Sequence, residues 1–172
     1  MSILNLTLYP DDPLKRTAEP FTDLGPDLPT FAQNMVETMY AHDGVGLAGP
    51  QVGLAKRIFA LHNPDTDEPM CLVNPEILER SGREEGEEGC LSLPTVYAPV
   101  PRATRILVRA LDPWGAAMEF EAHDFLARII QHEYDHLDGI IFLDRLDILT
   151  RQAKLQEWEE ARARLMASLQ RS

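Results

Sequence analysis

Three short segments hold residue types that can do chemistry. The first is QHEYDH, residues 131–136, which contains His132-Glu133-x-x-His136 within a helical pattern. On a helix, positions i and i+4 share a face and lie about 6 Å apart along the axis, so both imidazoles can reach one metal. Glu133 stands beside the first histidine and can accept a proton from a metal-bound water. The alternative is a helix with surface histidines. The second segment is EEGCLSLP, in which Cys90 offers a thiolate, a good ligand for zinc or ferrous iron whose pKa the metal lowers. The alternative is a small buried hydrophobe. Gly89, which permits an unusual backbone, and the apolar run behind Cys90 argue for the ligand. Cys71, in MCLV, lacks such a context and is assigned to the core. The third segment is GVGLAGPQVG, residues 44–53.

Gly44, Gly46 and Gly49 match G-x-G-x-x-G, but a dinucleotide site needs that motif after a strand and at the start of a helix. Here it follows a helical pattern, Pro50 and Gly53 interrupt any helix behind it, and no Walker lysine is present. A close-approach loop remains. Its glycines expose backbone groups, Gln51 adds an amide, and it can pair with an extended peptide main chain to main chain. The alternative is a tight turn.

A catalytic metal of this kind takes three protein ligands and keeps one position open. A third histidine six residues after His136 is excluded by Phe142. A glutamate on a later helix is available in Glu157, Glu159 or Glu160, and Cys90 is the competitor. The residues alone leave that choice open.

The elements that must carry these segments can be read from the periodicity. Residues 26–43 read as a helix with Leu28, Phe31, Ala32, Met35, Val36 and Met39 on one face, ended by a left-handed Gly44. Before it lies an extended start with one helical turn after Pro13. Strands are expected at 56–63 and 70–78, then an acidic, glycine-broken loop at 81–89 and a short apolar piece at 90–94. Residues 104–122 read as two strands around a turn at Asp112–Gly115. A helix follows from Asp124, its expected N-cap, and stops at Gly139. Residues 150–171 read as a C-terminal helix with Leu155, Trp158, Ala161, Leu165 and Leu169 in one stripe. Strands gather in the middle and helices at the ends, which is α+β: mixed or antiparallel strands packed around a central HExxH helix, with an N-terminal and a C-terminal helix.

The 172 residues suit one domain spanning 1–172, and 44% apolar with 26% charged residues is ordinary globular usage. Sixteen Lys and Arg against 28 Asp and Glu give a net charge of −12, which argues against a DNA partner. No apolar run reaches membrane-spanning length, and the N-terminus carries no secretory pattern, so no membrane partner and a cytoplasmic location are expected.

Taken together, GVGLAGPQ, EGCLS and QHEYDH closely resemble the three signatures of the peptide deformylase family, GxGLAAxQ, EGCLS and QHExDH, in the same order. The resemblance extends from the first helix to the last. It implies one divalent metal held by Cys90, His132 and His136, with water in the fourth position. Fe(II) is the expected native metal, with Zn(II) or Ni(II) as substitutes. The implied reaction is hydrolysis of the formyl group from the N-terminal formylmethionine of nascent polypeptides, releasing formate, with Glu133 as general base and then acid. The implied oxyanion donors are the Leu91 N–H and the Gln51 amide. Val45 and Gly46 would pair with the substrate chain, and Val45, Phe125 and Ile129 are candidates for the methionine pocket. Two departures stand out. Gly49 replaces the usual alanine, and Tyr97 stands where many members have an entrance arginine, for which Arg102 is the nearby substitute. The C-terminal segment carries a small basic surplus, so transient ribosome docking is a candidate role beside that of a solvated helix packed by its Leu/Trp stripe.

Overall fold

The computed structural model describes residues 2–171. The elements, in order, are helix α1 (Leu28–Ala41), strands β1 (Gly46–Ala48), β2 (Ile58–Asn63), β3 (Glu68–Ser81), β4 (Glu84–Cys90), β5 (Leu93–Arg102), β6 (Arg105–Leu111) and β7 (Ala117–His123), then helices α2 (Asp124–Leu137) and α3 (Ile148–Gln170). Short 3-10 turns lie at Asp12–Lys15, Gly49–Val52 and Phe142–Arg145. The architecture is α+β and its ladders are antiparallel. β1-β2-β3-β6-β7 form a five-stranded sheet, and β4-β5 form a separate two-stranded one.

Strand alternation explains the layering. In β2, Ile58 and Ala60 face one side, where they pack with Leu28, Ala32, Met35 and Val36 of α1. Phe59 and Leu61 face the other, where they meet Leu126, Ala127, Ile129 and Ile130 of α2. The β4–β5 hairpin buries Val96, Ala98 and Val100 against Trp158 of α3 and Phe142. Trp158 is 2% exposed, and its indole N–H donates to the Tyr9 carbonyl at 2.9 Å.

Several expectations are corrected. The acidic segment 81–89 is mostly strand. Its composition favours a loop, but pairing with β5 from Glu84↔Arg102 to Gly89↔Tyr97 overrides propensity. The apolar piece 90–94 is the hairpin's turn and the start of β5. Within the glycine-rich loop, Gly46–Ala48 joins the sheet as β1. Asp43, not Gly44, takes the left-handed conformation after α1, with φ of 57°. Asp124 is the first residue of α2 rather than its N-cap, which is His123. Gly139 ends α2 as expected, with φ of 72°. The last helix begins two residues early because the Asp147 side chain accepts the Thr150 N–H at 2.9 Å.

Candidate metal centre

Helix α2 turns its apolar face to the five-stranded sheet and carries His132, Glu133 and His136 at its buried end. Gln131 fixes its rotation: Nε2 donates to the Ala103 carbonyl and Oε1 accepts the Ala103 N–H, at 2.9 and 3.0 Å. Cys90 arrives from the other sheet, at the end of β4, where a register shift between Gly89 and Cys90 re-aims the chain. Gly89 does not adopt a left-handed backbone. It is needed because the Tyr97 ring crosses it, and an added Cβ would lie 2.7 Å from Tyr97 Cδ1.

The Cys90 sulfur and a ring nitrogen from each histidine lie within 4.8 Å of one another. Cys90 Sγ is 3.4 Å from His136 Nε2. With metal–sulfur and metal–nitrogen bonds of about 2.3 and 2.0–2.1 Å, a tetrahedral site has a sulfur–nitrogen edge of about 3.5 Å, so this spacing fits a metal. The donor set, one thiolate and two imidazoles, suits zinc or ferrous iron. Glu157, Glu159 and Glu160 lie on the exposed surface of α3 and stand outside this cluster, which removes the glutamate alternative.

Around the ligands lies a buried charge network that the motifs did not announce. Glu88, 7% exposed, accepts from Arg102 Nε (2.9 Å) and Arg128 Nη1 (2.7 Å) on one oxygen. Its other oxygen meets Arg102 Nη2 (3.0 Å) and His132 Nδ1 (2.8 Å). Arg102 also donates to Asp135 at 2.6 Å, and Arg145 closes the chain on Asp135 at 2.7 Å. Burial would raise the Glu88 pKa, but the bonds from His132 and Arg102 outweigh it and hold the carboxyl down at about 2. An ionised Glu88 requires a proton on His132 Nδ1, which leaves Nε2 as the donor atom toward the cluster. Arg102 is therefore not a substitute for an entrance arginine. Its guanidinium is 5% exposed and fully engaged with Glu88 and Asp135. The hint lay in the acidic neighbours inside the motifs, Glu88 before Cys90 and Asp135 before His136.

Desolvation acts to lower the pKa of both histidines. At His136 it prevails, aided by the charges of His132 and Arg102, and the ring is held neutral. At His132 the carboxylates of Glu133 and Glu88 and the Cys90 sulfur reverse it and raise the pKa. Burial pushes Glu133 up to about 7, against the pull of His132. Among the described residues Glu133 Oε1 is buried without a hydrogen-bond partner, which leaves an acceptor free beside the donor cluster.

A cavity of about 650 Å³ opens over these groups and is lined by every residue named above as a catalytic or substrate candidate. Gln51 is held by its Oε1, which accepts the Ala48 N–H at 2.8 Å, so its Nε2 points to Ser92 Oγ (3.2 Å) and Cys90 Sγ (3.5 Å). Val45 and Phe125 stand half-exposed at the cavity wall, and Ile129 is buried in it. β1 is the edge of its sheet. The His62 N–H bonds the Val45 carbonyl, which sets the hydrogen-bonded pairs and turns the Gly46 backbone groups away from β2. Leu6, Leu8 and Leu165 also line the cavity, brought there from the two ends of the chain without a local motif.

An HExxH helix, a convergent thiolate and an open, largely apolar cavity on an α+β scaffold define a metal-dependent hydrolase. Residues 3–152 match the sequence profile of the family described as polypeptide deformylase, and the chain belongs to that family. It is 46% identical over 144 residues to peptide deformylase 1 of Clostridium perfringens, covering 84% of this chain and 98% of that protein. It is 42% identical over 168 residues to the peptide deformylase of Nitrosococcus oceani, covering 97% and 100%. Among solved structures, a peptide deformylase from Legionella pneumophila superposes with a TM-score of 0.89 at 38% identity, covering 96% of this chain and 98% of that one. The peptide deformylase of Thermus thermophilus gives 0.86 at 42%, covering 96% of each.

Proposed function

We propose that this chain removes the N-formyl group from the N-terminal formylmethionine of newly synthesised polypeptides in the cytoplasm, releasing formate. The observation that carries this reading is the convergence of Cys90, His132 and His136, with Cys90 and His132 lining one cavity beside Glu133 and Gln51 and next to an open strand edge. Cys90, His132 and His136 would hold one divalent cation, natively Fe(II), with Zn(II) or Ni(II) as replacements. When bound, such a cation supplies Lewis acidity that lowers the pKa of water toward about 7.

The chain's own residues do the rest. Glu133, with a free buried oxygen, takes the proton of the water that attacks the formyl carbon. The Gln51 Nε2 and the Leu91 N–H face the oxygen on which negative charge develops. Glu133 then passes its proton to the departing amine as the carbon–nitrogen bond breaks, leaving formate and a free N-terminus. Gly46 presents its outward backbone groups to the substrate chain in the manner of strand addition. Val45, Phe125 and Ile129 form the apolar wall for the methionine side chain. A nascent chain extending past the methionine meets Tyr97 at the cavity wall.

Formate release from formyl-Met-Ala-Ser tests the reading. Glu133→Ala should abolish turnover with metal content unchanged, and Cys90→Ala should lose the metal. A Glu133→Ala enzyme near the parent rate would refute the proton role. We also propose transient ribosome contact through the exposed face of α3. Charge reversal at Arg164 and Arg171, both exposed, should lower co-sedimentation with ribosomes, and unchanged co-sedimentation refutes it.

A further inference from the structure

The three ligand residues come from two separately hydrogen-bonded sheet systems. His132 and His136 ride on α2, which packs on the five-stranded sheet. Cys90 ends β4, in a hairpin that, among the described residues, shares no ladder with that sheet. The hairpin leaves the larger sheet through Gly82–Arg83 and Ala103–Thr104, and Cys90 lies at its opposite end, about 20 Å along the strand from Glu84. A small tilt at the base is therefore a larger displacement of the sulfur. On one side the hairpin rests on α3 and Phe142 through apolar contacts. What fixes its distance from α2 on the other side is a set of polar cross-links.

Arg128 is the cross-link that reaches the main chain of both hairpin strands. It sits one helical turn before His132, on the same face of α2. Its Nη1 lies 2.7 Å from the Val100 carbonyl of β5, 2.7 Å from Glu88 Oε2 and 3.3 Å from the Gly86 carbonyl of β4. Its Nη2 donates to the Glu84 carbonyl at 2.8 Å. Gly86 makes the approach possible, since a Cβ there would lie 2.9 Å from Arg128 Cζ. Arg102, by contrast, belongs to the hairpin itself: it pairs with Glu88 of β4 and crosses to α2 through the Asp135 side chain.

We propose that Arg128 is a positioning residue that sets the separation of the Cys90 sulfur from the two imidazoles, and so tunes the affinity and geometry of the metal site. The inference rests on the ligand set given under Proposed function. Arg128 is not one of the metal ligands, and although its side chain reaches the cavity lining, its hydrogen bonds go to the hairpin. It acts by holding the hairpin backbone and, through Glu88, the orientation of His132.

The test uses metal-free full-length chain titrated with Co(II), read by the thiolate-to-cobalt charge-transfer band and by the d–d bands that report coordination geometry. Arg128→Met should weaken Co(II) binding by about 10- to 100-fold, the usual effect of removing an outer-shell support, and should shift the d–d bands. Arg128→Lys keeps the charge beside Glu88 but cannot span four acceptors, and should fall between. Arg105→Gln, which removes a partly buried arginine of the larger sheet paired with Glu79 and Glu121, should leave the spectrum unchanged. Where Arg128→Met does not fold, Gly86→Ala displaces the guanidinium from the opposite side and should shift the bands in the same direction. Parent-like bands and affinity in Arg128→Met, or in Gly86→Ala where that variant stands in, overturn the proposal even if the melting temperature falls. Absence of a thiolate-to-cobalt band in the parent chain would instead overturn the ligand set.

Discussion

Gly46→Ala perturbs Glu133, the proposed general base, without touching a proposed metal ligand. The three atoms nearest to a Cβ built on Gly46 all belong to Glu133, with Cδ at 2.8 Å and Oε2 nearer still. Ordinary contact begins at 3.4 Å. The carboxylate must therefore retreat by about 0.6 Å at Cδ and by roughly 1 Å at the oxygen, a misplacement that can cost about 10²-fold in rate. That corresponds to about 2.7 kcal/mol of barrier. Glu133 is 4% exposed, so it has little free volume to absorb the shift. The backbone groups that Gly46 offers along the open strand edge are unchanged, and its φ is not in the glycine region. The expected signature is a fall of about 100-fold in kcat for formate release, a KM changed by less than about threefold, and stoichiometric metal by elemental analysis. A kcat within threefold of the parent would show that Glu133 does not need its present position, and the proton role would fall with it. A loss of metal would show that the effect had reached the ligands.

Three further outcomes follow from packing and burial. Arg102→Met leaves Glu88 and Asp135 buried with one guanidinium fewer, and breaking such a network should cost about 3–5 kcal/mol in urea unfolding; a loss below 1 kcal/mol would refute the assigned role. Trp158→Ala should cost about 3–5 kcal/mol, because α3 buries that ring against the hairpin; a two-state midpoint matching the parent would sink this account of α3. Burial pushes the Cys71 thiol up to about 12 from 9.0, so the folded chain keeps a proton that the unfolded chain releases. That stability is complete below pH 9 and is lost as pH rises toward 12, by about 1.4 kcal/mol per unit. Cys71→Ala should flatten this part of the decline, and equal slopes in the two chains between pH 8.5 and 10.5 would refute the burial argument.

Much of this arrangement was legible in the residues because it follows from periodicity. The apolar stripe of α1, the turn at Asp112–Gly115 and the i, i+4 spacing of His132 and His136 need no tertiary knowledge. The meeting of Cys90 with those histidines was legible only through the family's three signatures, since no spacing rule joins a strand end to a helix 42 residues later. The structural role of Arg128 goes unread in the sequence, and Arg102 reads there as an entrance arginine, for a different reason. Each is a lone arginine in sequence, and its meaning comes from acceptors on other strands. The same holds for Leu6 and Leu165, which reach the cavity wall from opposite ends of the chain.

The segment that reads most strongly as a loop, SGREEGEEG, carries the strand that places the thiolate. Its glycines and glutamates disfavour a strand by propensity, and each departure has a use. Gly86 admits the Arg128 guanidinium, Gly89 admits the Tyr97 ring, and Glu88 is the carboxylate that fixes the tautomer of His132. A strand of ordinary β-formers would pair with β5 more readily, but a Cβ at position 86 or 89 would collide with those groups, and an apolar residue at 88 would leave Arg102 and Arg128 short of a buried partner. Local preference is weakest where the chain must hold a sulfur, an imidazole and two guanidinium groups in fixed relation. The buried charges that do this stabilise the fold less than apolar packing of equal volume would. Their contribution is orientation: with Glu88 ionised, His132 has one usable nitrogen, and that nitrogen faces Cys90.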